Sequence, residues 1–92
     1  MAAEIIVQSA NETRFEITVR EGKSETRHIV TVEPDYAHKL RGKGPVEDLV
    51  RRSFEFLLER EPKESILRHF DLEDISRYFP EYEREIRNRI NS

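Results

Sequence analysis

Apolar and polar positions alternate strictly near the start of the chain. In "TRFEITVR", Phe15, Ile17 and Val19 alternate with Glu16, Thr18 and Arg20, the period of two that a half-buried strand requires. The glycine-containing "EGKS" (21–24) supplies a turn, and "ETRHIVTVE" then sets His28, Val30 and Val32 on one face against Arg27, Ile29 and Thr31 on the other. Together these predict an antiparallel hairpin. "EIIVQS" adds a possible third strand, joined through Ala10-Asn11-Glu12. Pro34 ends the last strand and opens a short helix through about Leu40, with Gly42 to stop it.

Past Gly44 the period changes to three and four. Val46, Leu49, Val50, Phe54, Leu57 and Leu58 share one face of a helix opened by Pro45, the strongest element in the chain. Pro62 ends it and predicts a shorter helix around Ile66, Leu67 and Phe70. Asp71 and Asp74 have the spacing of a capping box for "LEDISRYF". Pro80 ends that helix at Phe79, because the residue before a proline avoids the α region, and a last helix follows with Glu81 in its first turn. The expected fold is α+β: an antiparallel β-hairpin or three-stranded sheet, then a short helix and three to four α-helices. It forms a single domain over 1–92, β in 1–33 and helical in 34–92.

A domain of this length buries only about 60–65% of its unfolded surface, so its stability is marginal. Cysteine is absent, which removes disulfides, thiolate metal sites and cysteine nucleophiles together and suits a reducing cytoplasm. The N-terminal stretch has no basic start, and its longest apolar run is three residues, far short of a signal core or membrane span. A cytoplasmic protein with no membrane contact is expected.

The 16 basic and 19 acidic residues give a net charge of −3, and residues 1–44 carry seven of each sign, so neither half is a strongly cationic nucleic-acid surface. Many charges fall into acid-before-base pairs four residues apart, such as Glu47 with Arg51, Asp48 with Arg52, Glu73 with Arg77 and Glu85 with Arg89, as solvated helix faces do.

Candidate chemistry is thin. "HFDLED" crowds His69, Asp71, Glu73 and Asp74 together, but helix capping and the helix dipole account for these acids, and no HExxH-type spacing is present. His28 alternates with valines as a packed strand residue does, and His38 has no serine or acid in a triad order. "KLRGKGPVED" is basic around a helix start and suggests a weak anion site, yet "GKGP" is not a phosphate loop and Pro45 removes a donor. No catalytic, metal or cofactor residue is assigned, and the protein is expected not to be an enzyme.

"RYFPEYEREI" belongs to an apolar stripe through Leu72, Ile75, Phe79, Tyr82, Ile86 and Ile90. Such a stripe is chiefly core, but a small sheet has little surface to cover so many helical faces, and tyrosine is common at contact anchors. Tyr78, Phe79, Tyr82 and Ile86 are therefore the candidate partner-binding residues, for a second copy or another protein.

Two resemblances bear on these expectations. The order "RHIVTVE", "PDYAHKL", "RGKG", "PVEDLVRRSFEFLLE" over residues 27–59 resembles the ribbon-helix-helix family of DNA-binding repressors and antitoxins. In that family, strands from two chains pair and enter the major groove, and the N-terminus of the second helix touches phosphate. The resemblance implies that Arg27 and Thr31 face DNA while Lys43 and Gly44 approach its backbone. The run "RRSFEFLLEREPKESILRHFDLEDISRYFPEYEREI", residues 51–86, looks like the C-terminal part of small bacterial proteins of unassigned function, which implies a coherent domain and a bacterial setting but no activity. Interaction with itself or another protein is thus the leading expectation, with a DNA-binding regulator as the alternative.

Overall fold

Three antiparallel strands are followed by helices and, late in the chain, a fourth strand that returns to the sheet. The computed structural model describes residues 3–41 and 44–91; Gly42 and Lys43, the expected helix stop and part of the basic connector, lie outside the described residues. Strands β1 (Glu4–Ser9), β2 (Arg14–Glu21) and β3 (Ser24–Thr31) form a meander. Helices α1 (Pro34–Arg41) and α2 (Val46–Leu58) follow, then a 3₁₀ turn (Lys63–Ser65), strand β4 (His69–Asp71), and helices α3 (Asp74–Tyr78) and α4 (Tyr82–Asn91). The strand order is β1-β2-β3-β4, with β4 parallel to β3. This is an α+β fold on a mixed four-stranded sheet.

Local chemistry explains the turns. The Asn11 carboxamide oxygen accepts from the backbone N–H of Thr13 and of Arg14, both at 2.9 Å, tying β1 to β2. Glu21 pairs with Ser24, leaving Gly22 and Lys23 as a two-residue loop. Gly22 has φ +60° and no non-glycine residue described has positive φ, the signature of a II′ hairpin turn.

One face of the sheet is buried through Ile5, Phe15, Ile17, Val19, His28, Val30 and Phe70. Its other face carries Glu16, Arg20, Arg27, Ile29 and His69 into solvent. The period-two pattern thus places the hairpin correctly, with His28 inside.

Helix α2 is buried on two sides. Toward the sheet, Phe54 meets His28 at 5.4 Å and Phe70 at 6.0 Å between ring centroids. Toward α3 and α4, Phe56 meets Tyr82 at 5.3 Å and Phe79 at 5.8 Å. The Ser53 hydroxyl donates to the Leu49 carbonyl oxygen at 2.7 Å, so its only proton is used. Tyr82, 2.6 Å away, must therefore be the donor to Ser53 Oγ. Burial pushes the Tyr82 phenol pKa up, keeping that proton in place.

The expected helix around Ile66, Leu67 and Phe70 does not form. Pro62 opens a single 3₁₀ turn, and the chain then extends so that Ile29 N–H donates to the Arg68 carbonyl at 2.7 Å and Leu72 N–H to that of Thr31 at 2.9 Å. Two apolar residues and Phe70 at helical spacing satisfy a helix template locally, but pairing with a strand some forty residues earlier wins. Several arginines find partners across the fold rather than one turn away. Arg89 meets Glu59 at 2.7 Å, Arg60 meets Glu81 at 3.2 Å, and Arg51 donates to the Ile5 carbonyl at 2.7 Å. Asp48 with Arg52, at 3.1 Å, does form as expected. No helix among the described residues is long and apolar enough to cross a membrane.

Candidate interaction groove

The connection that carries β4 into the sheet leaves a groove between itself and α3. Its floor is apolar, formed by Leu57 from α2, Ile66 from the 3₁₀ turn, Phe70 from β4 and Ile75 from α3. Leu67, Tyr78 and Phe79 also line it, as do the acidic residues Glu61 and Asp74, and the cavity measures about 340 Å³. That is near the lower end of small-molecule pockets, which run about 300–1,000 Å³.

Three large apolar side chains are exposed among the described residues: Ile29, Leu67 and Tyr78. Two of them line this one groove, Leu67 at 53% exposure and Tyr78 at 69%. Ile29 lies alone on the outer sheet face. Scattered exposed apolar residues need no explanation, but convergence on a concave surface does.

His28 positions the Leu67 side of the groove. Its Nδ1 lies 2.8 Å from the Leu67 carbonyl oxygen and its Nε2 2.9 Å from the Thr26 hydroxyl. A carbonyl can only accept, so Nδ1 carries the proton and Nε2 accepts from Thr26. Burial holds the His28 pKa below the ordinary histidine value against the opposing pull of the Leu67 bond, and the Arg68 charge lowers it further. His28 is thus a neutral, doubly hydrogen-bonded core residue that anchors the loop.

The two rim carboxylates differ. Asp74 Oδ2 accepts from the Asp71 N–H at 3.2 Å, the reciprocal arm of the expected capping box, and its Oδ1 lies 3.7 Å from Arg77. Glu73, the residue at the helix cap itself, makes no side-chain cap bond. Glu61 has no hydrogen bond or ion pair to its carboxylate among the described residues. Burial pushes its carboxyl pKa above the ordinary value.

The four aromatic and aliphatic residues expected at a partner surface separate cleanly. Tyr78 is exposed and Phe79 half-buried at the groove, whereas Tyr82 and Ile86 are both 0% exposed inside the core. Of the residues implied by the ribbon-helix-helix resemblance, Arg27 is exposed on the outer sheet face and pairs with Glu25 at 3.3 Å, with Thr31 half-buried on the same face. Gly44 precedes α2, and Lys43 lies outside the described residues. Strand β3, which carries Arg27 and Thr31, is hydrogen-bonded to β2 on one edge and β4 on the other.

Sequence reading missed Leu67, Ile66 and Glu61 as groove residues because the groove exists only once β4 has joined the sheet. The available signal was Pro62, which precludes a smooth continuation of α2 and forces the chain to turn beneath Leu57. Among the described residues no group of three or more His, Asp or Glu side chains converges as metal ligands do; His69 and Asp71 point to the outer sheet face while Asp74 lines the groove. Compared with known proteins, the chain matches no family model, no curated protein and no solved structure.

Proposed function

We propose that this chain is a non-enzymatic protein-interaction module of the bacterial cytoplasm, and that its contact surface is the groove between the 3₁₀ turn and α3. One observation carries this: Leu67 and Tyr78, two large apolar side chains left in water, line the same concave apolar surface. Leaving them exposed forgoes burial worth about 25 cal/mol per Å². Covering them on association recovers it, and tyrosine is among the residues that dominate contact energies. The absence of cysteine is compatible with a reducing compartment. A ribbon-helix-helix regulator needs a strand free to pair with its copy, and β3 already has a neighbour on each edge.

The test places a photo-crosslinking amino acid at position 78 (Tyr78→p-benzoylphenylalanine) in cells making the protein, with a control at Arg27 on the opposite face. The expected result is a discrete adduct from position 78 alone that disappears when Leu67→Ser is added. An adduct of twice the chain mass identifies a second copy, and any other discrete mass identifies a different protein. Absence of a Leu67-dependent adduct refutes the assignment. Leu67→Ser should leave folding stability within about 0.5 kcal/mol of the parent, since Leu67 is exposed.

A further inference from the structure

Glu61 is an acidic residue lining an apolar groove, and none of the described residues brings a cation to its carboxylate. Its neighbours in sequence are committed elsewhere. Arg60 places Nε 3.2 Å from Glu81 and Nη1 3.2 Å from the Phe56 carbonyl, with its guanidinium carbon 3.5 Å above the Phe56 ring. Lys63, itself buried, places Nζ 2.6 Å from Glu64 and 3.3 Å from Glu21. Asp74, which also lines the groove, is held by Asp71 and Arg77.

Three kinds of occupant follow different physics here. An acidic one meets two carboxylates and is repelled. A purely apolar one seals Glu61 away from water with nothing to hydrogen-bond it, and burying a charge unpaired is costly. An apolar group next to a cation covers the floor and completes Glu61 in one step.

Resting on the interaction reading above, we infer that the groove receives a segment of a partner protein in which a large apolar side chain is followed closely by lysine or arginine. The apolar side chain sits between Leu67 and Tyr78, and the cation reaches Glu61. A protein segment is favoured over a small amine because Leu67 and Tyr78 line the groove and yet stay exposed; a small amine has too little apolar surface to cover both. The upward shift of the Glu61 pKa by burial agrees with this, because a cation at the rim reverses that penalty.

The test is selection from a random peptide library displayed on phage, using the whole chain as bait and Leu67→Ser as counter-selection. Enriched sequences are expected to hold Lys or Arg at a fixed short spacing from Leu, Ile, Met or an aromatic residue. A synthetic peptide of the enriched motif should bind Glu61→Gln about tenfold more weakly, as loss of a charge-assisted contact predicts. Binding to Glu73→Gln, which alters an exposed carboxylate outside the groove, should be unchanged. Glu61→Gln removes a charge that no group described in the chain satisfies, so it should fold as the parent does. Leu67-dependent peptides that carry no basic residue, or an affinity indifferent to Glu61→Gln, overturn the charge assignment and leave the interaction reading standing. Absence of any Leu67-dependent peptide overturns both.

Discussion

The buried Ser53–Tyr82 pair makes an unequal prediction for its two members. Ser53→Ala removes the acceptor of the Tyr82 proton and strands that hydroxyl in a site with no access to water. The Leu49 carbonyl loses only a second donor, since a helical carbonyl is normally served by the N–H four residues on. The expected cost is that of one orphaned buried hydroxyl, about 1–3 kcal/mol. Tyr82→Phe leaves Ser53 still donating to Leu49 and removes only an accepted bond, so it should cost about 0.5–1.5 kcal/mol. The double variant has no orphan, because both partners become apolar. It should therefore be more stable than Ser53→Ala alone, with a coupling energy of about 0.5–3 kcal/mol. Urea unfolding followed by circular dichroism measures all four corners of the cycle, and unchanged m-values certify that the comparison concerns stability. Each kcal/mol shifts the melting temperature by about 4–8 °C in a domain of this size. Strict additivity of the two single changes would refute the assigned hydrogen bond and its direction.

Two other perturbations test the buried histidine and the hairpin turn. As pH falls below the ordinary histidine value of 6.5, the unfolded chain binds a proton that folded His28, with its lowered pKa, does not yet take up; the contribution of His28 to stability drops with falling pH, no faster than about 1.4 kcal/mol per pH unit. His28→Gln should flatten that slope between about pH 7.5 and 5.5, measured by urea unfolding, and an unchanged slope assigns the titration elsewhere. Gly22→Ala should cost about 1–2 kcal/mol, because φ is +60° there while a Cβ would meet nothing within 4 Å, so the penalty is conformational alone. A melting temperature equal to the parent's would show that the turn readily takes another form.

Much of the architecture was readable because its determinants are local. Phe15, Ile17, Val19 and His28, Val30, Val32 announce which side of the hairpin is buried, and Pro34, Pro45 and Pro80 mark helix limits that the structure keeps. The second buried side of α2 was harder to see, since Phe56 falls off the main stripe, next to Glu55, and is justified only by Tyr82 and Phe79 from later in the chain. Strand β4 is three residues long and has no pattern of its own; parallel pairing with β3 is a long-range property that no window around Phe70 contains. The groove depends on that strand, so its lining was hidden for the same reason. Tyr78 and Phe79 were legible as aromatic residues at a helix joint, whereas the separation of exposed Tyr78 from enclosed Tyr82 depends on the contact that Tyr82 makes with Phe56 of α2.

With aromatic side chains working in opposite directions from a single thirteen-residue rod, α2 serves as the shared wall of two compartments. Neither the strand half nor the helical half owns it, and excising residues beyond the 3₁₀ turn would uncover Phe56 and remove the ring that Phe54 shares with Phe70. Amide exchange in the native protein should accordingly find no foldon boundary at α2: the slowest protons of β2, α2 and α4 should exchange together, through one global opening.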